Sequence, residues 1–370
     1  MRKSGLFVPG ASFALTVASL LLTSCSGSGH MMIPQPTVEP RFAIVANQDN
    51  TVSTFAIDTA TGKLHSNGSV MSGGSTPIAL AVDPTNHFAY VAHNVSGGVS
   101  AFSINTSTGT LTRVGTSVAA GIRPRFVTVH PNGKFVYVVN EGSDNISVYA
   151  INPNTGALTS TGSPVRTVRA PQTLALDPTG KFAYVVNPDL NSVSLFTVDG
   201  TTGALTGVNS VGVAGEDPGF VMVHSSGKFA YVANTVSQDI SVFAINPVDG
   251  KLTLVGTPAA TVGTFPVALA QDPSGKFIYT ANFVTGDICG FAVNATTGEL
   301  SPIGASVATG DGPASIHIDP AGKFMYVANS QSDNVTVFAI DPVRGTLSPV
   351  GAPTPTGVMP SSVVTVGKVN

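Results

Sequence analysis

Residues able to do acid–base or anion chemistry are few in this chain of 370 amino acids, of which only 10% are charged. Glu141 stands in "VVNEGSDN", and Arg123 and Arg125 stand either side of Pro124 in "GIRPRF". A carboxylate can activate water as a base, and a guanidinium can hold an oxyanion or a substrate carboxylate. The same groups can instead pair with each other, and a glutamate beside an arginine stays ionised and becomes a poorer base. His93, Gln172 and Asp217 add an imidazole, an amide and a second carboxylate. No histidine or carboxylate cluster has ligand spacing, and two cysteines are too few for a zinc site, so neither metal nor cofactor is expected. A formal charge of −3 gives no electrostatic footprint for nucleic acid. Tryptophan is absent, which weakens a polysaccharide-binding reading, and no glycine-rich phosphate loop precedes a helix.

The N-terminus is a separate object. "MRKSGLFVPGASFALTVASLLLTSC" has a basic start, an apolar middle and small residues before Cys25, the layout of a secretory signal. Its end resembles the lipobox of bacterial lipoproteins, which implies cleavage after residue 24 and lipidation of Cys25. Residues 25–40 read as lipidated cysteine and flexible tether. The expected location is the bacterial cell envelope, with the membrane as a partner through Cys25. Cys289 alone remains; in the strand-like "GDICGFAVN" it reads as a buried apolar thiol.

Residues 41–370 are repetitive. "GKFAYVAN" at 227–234 has near-copies at 133–140, 180–187, 275–282 and 322–329. Its phenylalanine recurs as Phe42, Phe88, Phe135, Phe182, Phe229, Phe277 and Phe324, and Pro77, Pro124, Pro171, Pro218, Pro266, Pro313 and Pro360 recur in phase. Seven units of near-constant length indicate a solenoid, an array or a propeller. In "FAYVAN" both alternating faces are apolar, so that strand lies between two sheets. "DISVFAIN" behaves likewise, "PVALAQD" is strand-like and built of small residues, and "KLTLVGTP" is more polar. Turn signals such as "DPSGK" and "NPVDG" separate them. The expected fold is all-β: a seven-bladed β-propeller with four antiparallel strands per blade. The repeats begin with a second strand, "RFAIVANQDN", and end with a first strand, "PSSVVTVG". The C-terminal strand is therefore expected to close the ring as the innermost strand of the N-terminal blade.

In this topology two sets of loops open onto one face. The loops before the inner strands bring Arg123, Arg125, Gln172, Asp217 and Phe265; the loops after the second strands bring His93, Glu141 and a recurring Asn. Ligand binding is expected there from Arg123, His93, Gln172 and Asp217. The Asn is expected to be a turn residue bonding its own backbone. His130 and His224 take the Asp place of the "DPxGK" turn at the opposite end, and His317 reads as a satisfied core histidine.

"YVAN" resembles the YVTN-type repeat of bacterial surface propellers, and "PRFVTVHPNGKFVYVVNEGSDNISVYAINPNTGAL" at 124–158 resembles the lactonase propeller family, which includes 6-phosphogluconolactonases and a muconate cycloisomerase. The resemblance implies lactone hydrolysis, with an Arg after Pro and a Glu sixteen residues later; Arg125 and Glu141 match these catalytic places, Glu141 as base and Arg125 as oxyanion or carboxylate binder. Phe126 stands where the accompanying His would be, Ile78 and Leu80 stand in the two His places of the preceding blade, and Pro188 replaces a second Arg. With those groups missing, a ligand- or protein-binding module is the expected function, and lactone ring opening the alternative. The expected partners are a small-molecule lactone or an envelope protein; no nucleic acid and a monomeric state are expected.

Overall fold

The last six residues of the recurring stretch, from its phenylalanine to its asparagine, form the second strand of a blade, and its place follows from having two apolar faces. The computed structural model of the protein describes residues 38–212 and 215–369. The expected signal sequence and lipidated Cys25 lie outside them. From its phenylalanine to its end each second strand, such as Phe229–Asn234, is buried because a neighbouring blade covers each face. Among the described residues the strands form seven antiparallel sheets, as expected. The third blade is representative: Pro124–Val129, Phe135–Asn140, Asn145–Ile151 and Leu158–Ser160 run from channel to rim. The outermost strand is continuous in some blades (Leu111–Ala119) and interrupted in others, where a second short piece such as Val165–Arg166 resumes the pairing.

The ring closes as the termini require. Pro360–Val369 pairs antiparallel with Val38–Asn47, so the C-terminal segment is the innermost strand of the first blade. The first strand starts at Val38, three residues ahead of the expected boundary at 41.

Neighbouring blades are latched by a contact between each repeat and the next. The buried tyrosine of a second strand donates its hydroxyl to a glycine carbonyl in the outer hairpin of the following blade: Tyr184 to Gly250 at 2.8 Å, Tyr279 to Gly345 at 2.8 Å and, across the closure, Tyr326 to Gly62 at 3.3 Å. The same glycine lies against the repeat's phenylalanine; a Cβ on Gly62 would stand 2.5 Å from the Phe324 ring. Its φ of +75° also requires glycine there. Burying the phenolic group without a partner would cost ~1–3 kcal/mol, so the hydroxyl bond is part of the packing. On the face away from these Asn-ended strands, Asp177 and Asp272 accept the backbone N–H groups of Phe182 and Phe277. His130 and His224 replace that aspartate, as expected, and each Nε2 instead lies 2.9 Å from a glycine carbonyl of the next blade, Gly180 or Gly275.

Candidate functional site at the channel mouth

Seven first strands converge on the axis, and three consecutive positions at the start of each decide what the channel presents. The residue before each marker proline has a left-handed backbone: Thr76, Arg123, Ala170, Asp217, Phe265, Gly312 and Met359 have φ between 50° and 64°. For a non-glycine residue this costs about 1–2 kcal/mol. It is held by the adjacent loop, whose backbone N–H donates to that residue's carbonyl: Glu141 to Arg123 at 3.0 Å, Thr235 to Asp217 at 2.9 Å, Phe283 to Phe265 at 2.9 Å. Except in the fourth blade, where the strand starts at Leu174, the proline then begins the strand, where a missing N–H is tolerated. The next residue is a bulge: Pro124 faces Asn140 and Phe126 faces Val139, leaving Arg125 unpaired. The same shift falls after Pro77, Pro218, Pro266 and Pro313. A bulge re-aims side chains, so the two residues after the proline both face the channel.

The result is a cavity of about 470 Å³ at the axis. Its upper ring is Ile78, Arg125, Gln172, Gly219, Val267, Ala314 and Ser361, one per blade. Below lie Phe126 and Phe220, whose rings meet edge to face at 6.1 Å and floor that side. Phe265, Phe283 and Met359 stand at the mouth. Apolar side chains line most of it, and Arg125, Gln172, Thr173, His317 and several serines add polar groups. Among the described residues Arg125 is its one arginine or lysine, and no Asp or Glu lines it.

Arg125 and Gln172 come together as neighbours in the upper ring: Arg125 Nε donates to Gln172 Oε1 at 2.9 Å. The terminal guanidinium nitrogens of Arg125 have no hydrogen-bond partner among the described residues, which leaves a fork of donors suited to a carboxylate or phosphate.

Arg123, Glu141, His93 and Asp217 do not line this cavity. Glu141 belongs to Arg123: Arg123 Nη2 donates to Oε1 and Oε2 at 3.2 Å each. The expected meeting of Arg125 with Glu141 does not occur among the described residues, because the bulge turns Arg125 inward while Arg123 stays at the rim beside the Glu141 loop. Asp217 accepts from the Thr235 hydroxyl across the equivalent pair of loops, and Phe265 packs on Phe283 with ring centroids 6.5 Å apart.

The recurring Asn is not a turn residue bonding its own backbone. Asn47, Asn140, Asn187, Asn234, Asn282 and Asn329 are fully buried at strand ends and bond a side chain on the third strand, as Asn140 does with Ser147 at 3.0 Å and Asn282 with Cys289 at 3.2 Å. His93 takes the same place, its Nε2 2.9 Å from Ser100 Oγ. Burial, with the Arg113 charge adding to it, pushes the His93 pKa down to about 4. Cys289 is buried, as expected.

His317 differs from expectation. It faces the cavity two residues below Ser315, and neither ring nitrogen has a hydrogen-bond partner among the described residues. Burial pushes its pKa down to about 4, so it is neutral at pH 7. Reading the two positions after each proline down the repeats would have found Phe220 and Ser361; nothing in the sequence marks Phe283 or His317 as cavity-lining. Among the described residues no group of three His, Cys, Asp or Glu is placed to hold a metal ion.

A family model for a lactonase with a seven-bladed β-propeller matches residues 36–123, 102–175, 124–265 and 221–364. The chain belongs to this lactonase propeller family. Solved structures agree in fold. A candidate 6-phosphogluconolactonase from Bacteroides fragilis is 23% identical, with 89% of this chain and 98% of that chain covered and a TM-score of 0.78. One from Bacteroides uniformis is 22% identical, with coverage of 89% and 100% and a TM-score of 0.80. The periplasmic gluconolactonase PpgL of Pseudomonas aeruginosa is 20% identical, with coverage of 89% and 99% and a TM-score of 0.77. No curated protein is a significant match. In this lactonase-family propeller the places where the resemblance expects histidines are inside the cavity but apolar: Ile78, Leu80 and Phe126 all line it.

Proposed function

We propose that this lactonase-family propeller is an exported, lipid-anchored binding protein that holds a small organic anion at the mouth of its channel. One observation carries the reading: Arg125 is fixed through Nε on Gln172, its other donors are unpaired among the described residues, and no carboxylate shares the lining. A guanidinium with free donors pairs with an anion, and a bidentate carboxylate satisfies the fork. Export and anchoring rest on the N-terminal sequence.

Lactone ring opening, the alternative, is favoured by family membership. It adds water across the ester, breaks the bond to the ring oxygen and yields a hydroxy acid, which needs a base beside the carbonyl. Glu141, held by Arg123 and outside the cavity, is poorly placed for that step. The deciding experiment sets calorimetric binding of carboxylates beside acid release from a panel of sugar lactones. Expected are carboxylate binding that Arg125→Gln weakens tenfold or more, and lactone hydrolysis at the uncatalysed rate. Catalysed acid release that Glu141→Gln abolishes would establish the enzyme instead.

A further inference from the structure

The cavity is lopsided. Phe126 and Phe220 floor it beneath the side that carries Arg125 and Gln172. On the side of the last, first and second blades the lining continues downward through Leu80, Ile316, Val363, Val364 and His317. His317 lies two residues beyond Ser315 on its strand, roughly 7 Å further from the mouth. A molecule anchored at Arg125 thus has one direction to extend, along an apolar wall that ends at an imidazole.

The serines along that path already serve the backbone, although the Ser315 and Ser362 O–H groups donate to nothing among the described residues. Ser315 Oγ accepts the Val363 N–H at 3.2 Å, Ser362 Oγ accepts the Leu80 N–H at 3.2 Å, and the Ser361 hydroxyl donates to the Pro77 carbonyl at 2.8 Å. These hydroxyls satisfy inner-edge backbone groups that no further strand can reach. His317 is the half-buried group there with no hydrogen-bond partner at all among the described residues, and such an imidazole calls for a ligand or water to supply one.

We infer that the anion bound at Arg125 is a monocarboxylate with an apolar body whose far end carries a hydroxyl, and that this hydroxyl hydrogen-bonds to His317. A neutral imidazole has one donor and one acceptor nitrogen, and a hydroxyl can meet either. A second carboxylate at that depth would be desolvated among Leu80, Ile316 and Val364 with no cation beside it, so dianions are disfavoured. The inference rests on the anion-binding reading above and adds the class of ligand.

Calorimetry on the intact protein with two matched pairs tests it: benzoate against 4-hydroxybenzoate, and 3-phenylpropanoate against 3-(4-hydroxyphenyl)propanoate. In at least one pair the hydroxylated acid is expected to bind tenfold or more tightly than its parent. His317→Leu should erase that advantage, and His317→Gln, which keeps a donor and an acceptor, should retain part of it. Arg125→Gln should weaken both members of the pair alike. Equal binding within both pairs, or an advantage that survives His317→Leu, overturns the role of His317 and leaves the anion site standing. Failure of all four acids to bind overturns the anion site and this inference with it.

Discussion

Arg123 reaches both carboxylate oxygens of Glu141 with a single nitrogen, 3.2 Å from each, and this pair sits at the rim while Arg125 turns into the channel two residues later. The relationship separates two charges that the sequence places side by side. Arg125→Gln is therefore expected to weaken carboxylate binding tenfold or more, whereas Glu141→Gln should leave it within about twofold. The Arg123 side chain is 60% exposed, so the pair contributes at most ~1 kcal/mol to stability. Calorimetric titration beside urea unfolding of both variants checks the two halves. Loss of binding in Glu141→Gln would show that the rim pair is part of the site.

The inter-blade latch predicts where a methyl group is tolerated. Alanine at Gly62 would put its Cβ 2.5 Å from the Phe324 ring, whereas alanine at Gly115, with a similar φ of +63°, meets nothing within 4 Å. Both variants carry the left-handed strain of about 1–2 kcal/mol, and Gly62→Ala adds overpacking of about 1–3 kcal/mol. Urea midpoints should therefore rank wild type above Gly115→Ala and Gly115→Ala above Gly62→Ala. Equal loss in the two variants would mean that the Phe–Gly stack does not resist expansion.

Much of this architecture was legible because burial on both faces leaves a mark on every copy. The phenylalanine and proline columns placed the blades, and the broken first and last repeats placed the closure. The tyrosine-to-glycine latch was less visible: its partners, such as Tyr184 and Gly250, belong to successive units and no local periodicity joins them. The buried Asn had a readable signal, since a hydroxyl or thiol stands seven residues on in most blades, as in Asn140 with Ser147 and Asn234 with Ser241. The site was hardest. Which of Arg123 and Arg125 faces inward depends on a bulge, a matter of hydrogen-bond register that side-chain identity does not encode. His317 looked like a core residue because its neighbours Ile316 and Ile318 are core residues.

Ring closure predicts the effect of shortening the chain. Ending it after Val358 removes Pro360–Val369 and with it Val363 and Val366, both buried against the first blade and its neighbours. The Val38–Asn47 strand would then expose a row of unpaired backbone groups toward the channel. Loss of a single cooperative transition is expected, read by circular dichroism on heating. A truncated protein that melts like the intact one would show that the last strand is dispensable.

His93 and His317 give stability a pH dependence whose sign can be worked out. Each is held at about 4 in the folded chain by burial, against an ordinary value of 6.5. Between those limits the unfolded chain binds more protons than the folded one, so stability is complete above pH 6.5 and falls as the pH drops toward 4. For a fully desolvated histidine the loss is ~1.4 kcal/mol for each pH unit crossed, and less for His317, which has one face open to the cavity. His93→Asn restores the residue found at the same place in the other six blades and can keep the bond to Ser100. Urea midpoints at pH 7 and pH 5 should therefore differ less in the variant than in wild type. An equal difference in both proteins would mean that the buried imidazole of His93 does not carry the acid sensitivity.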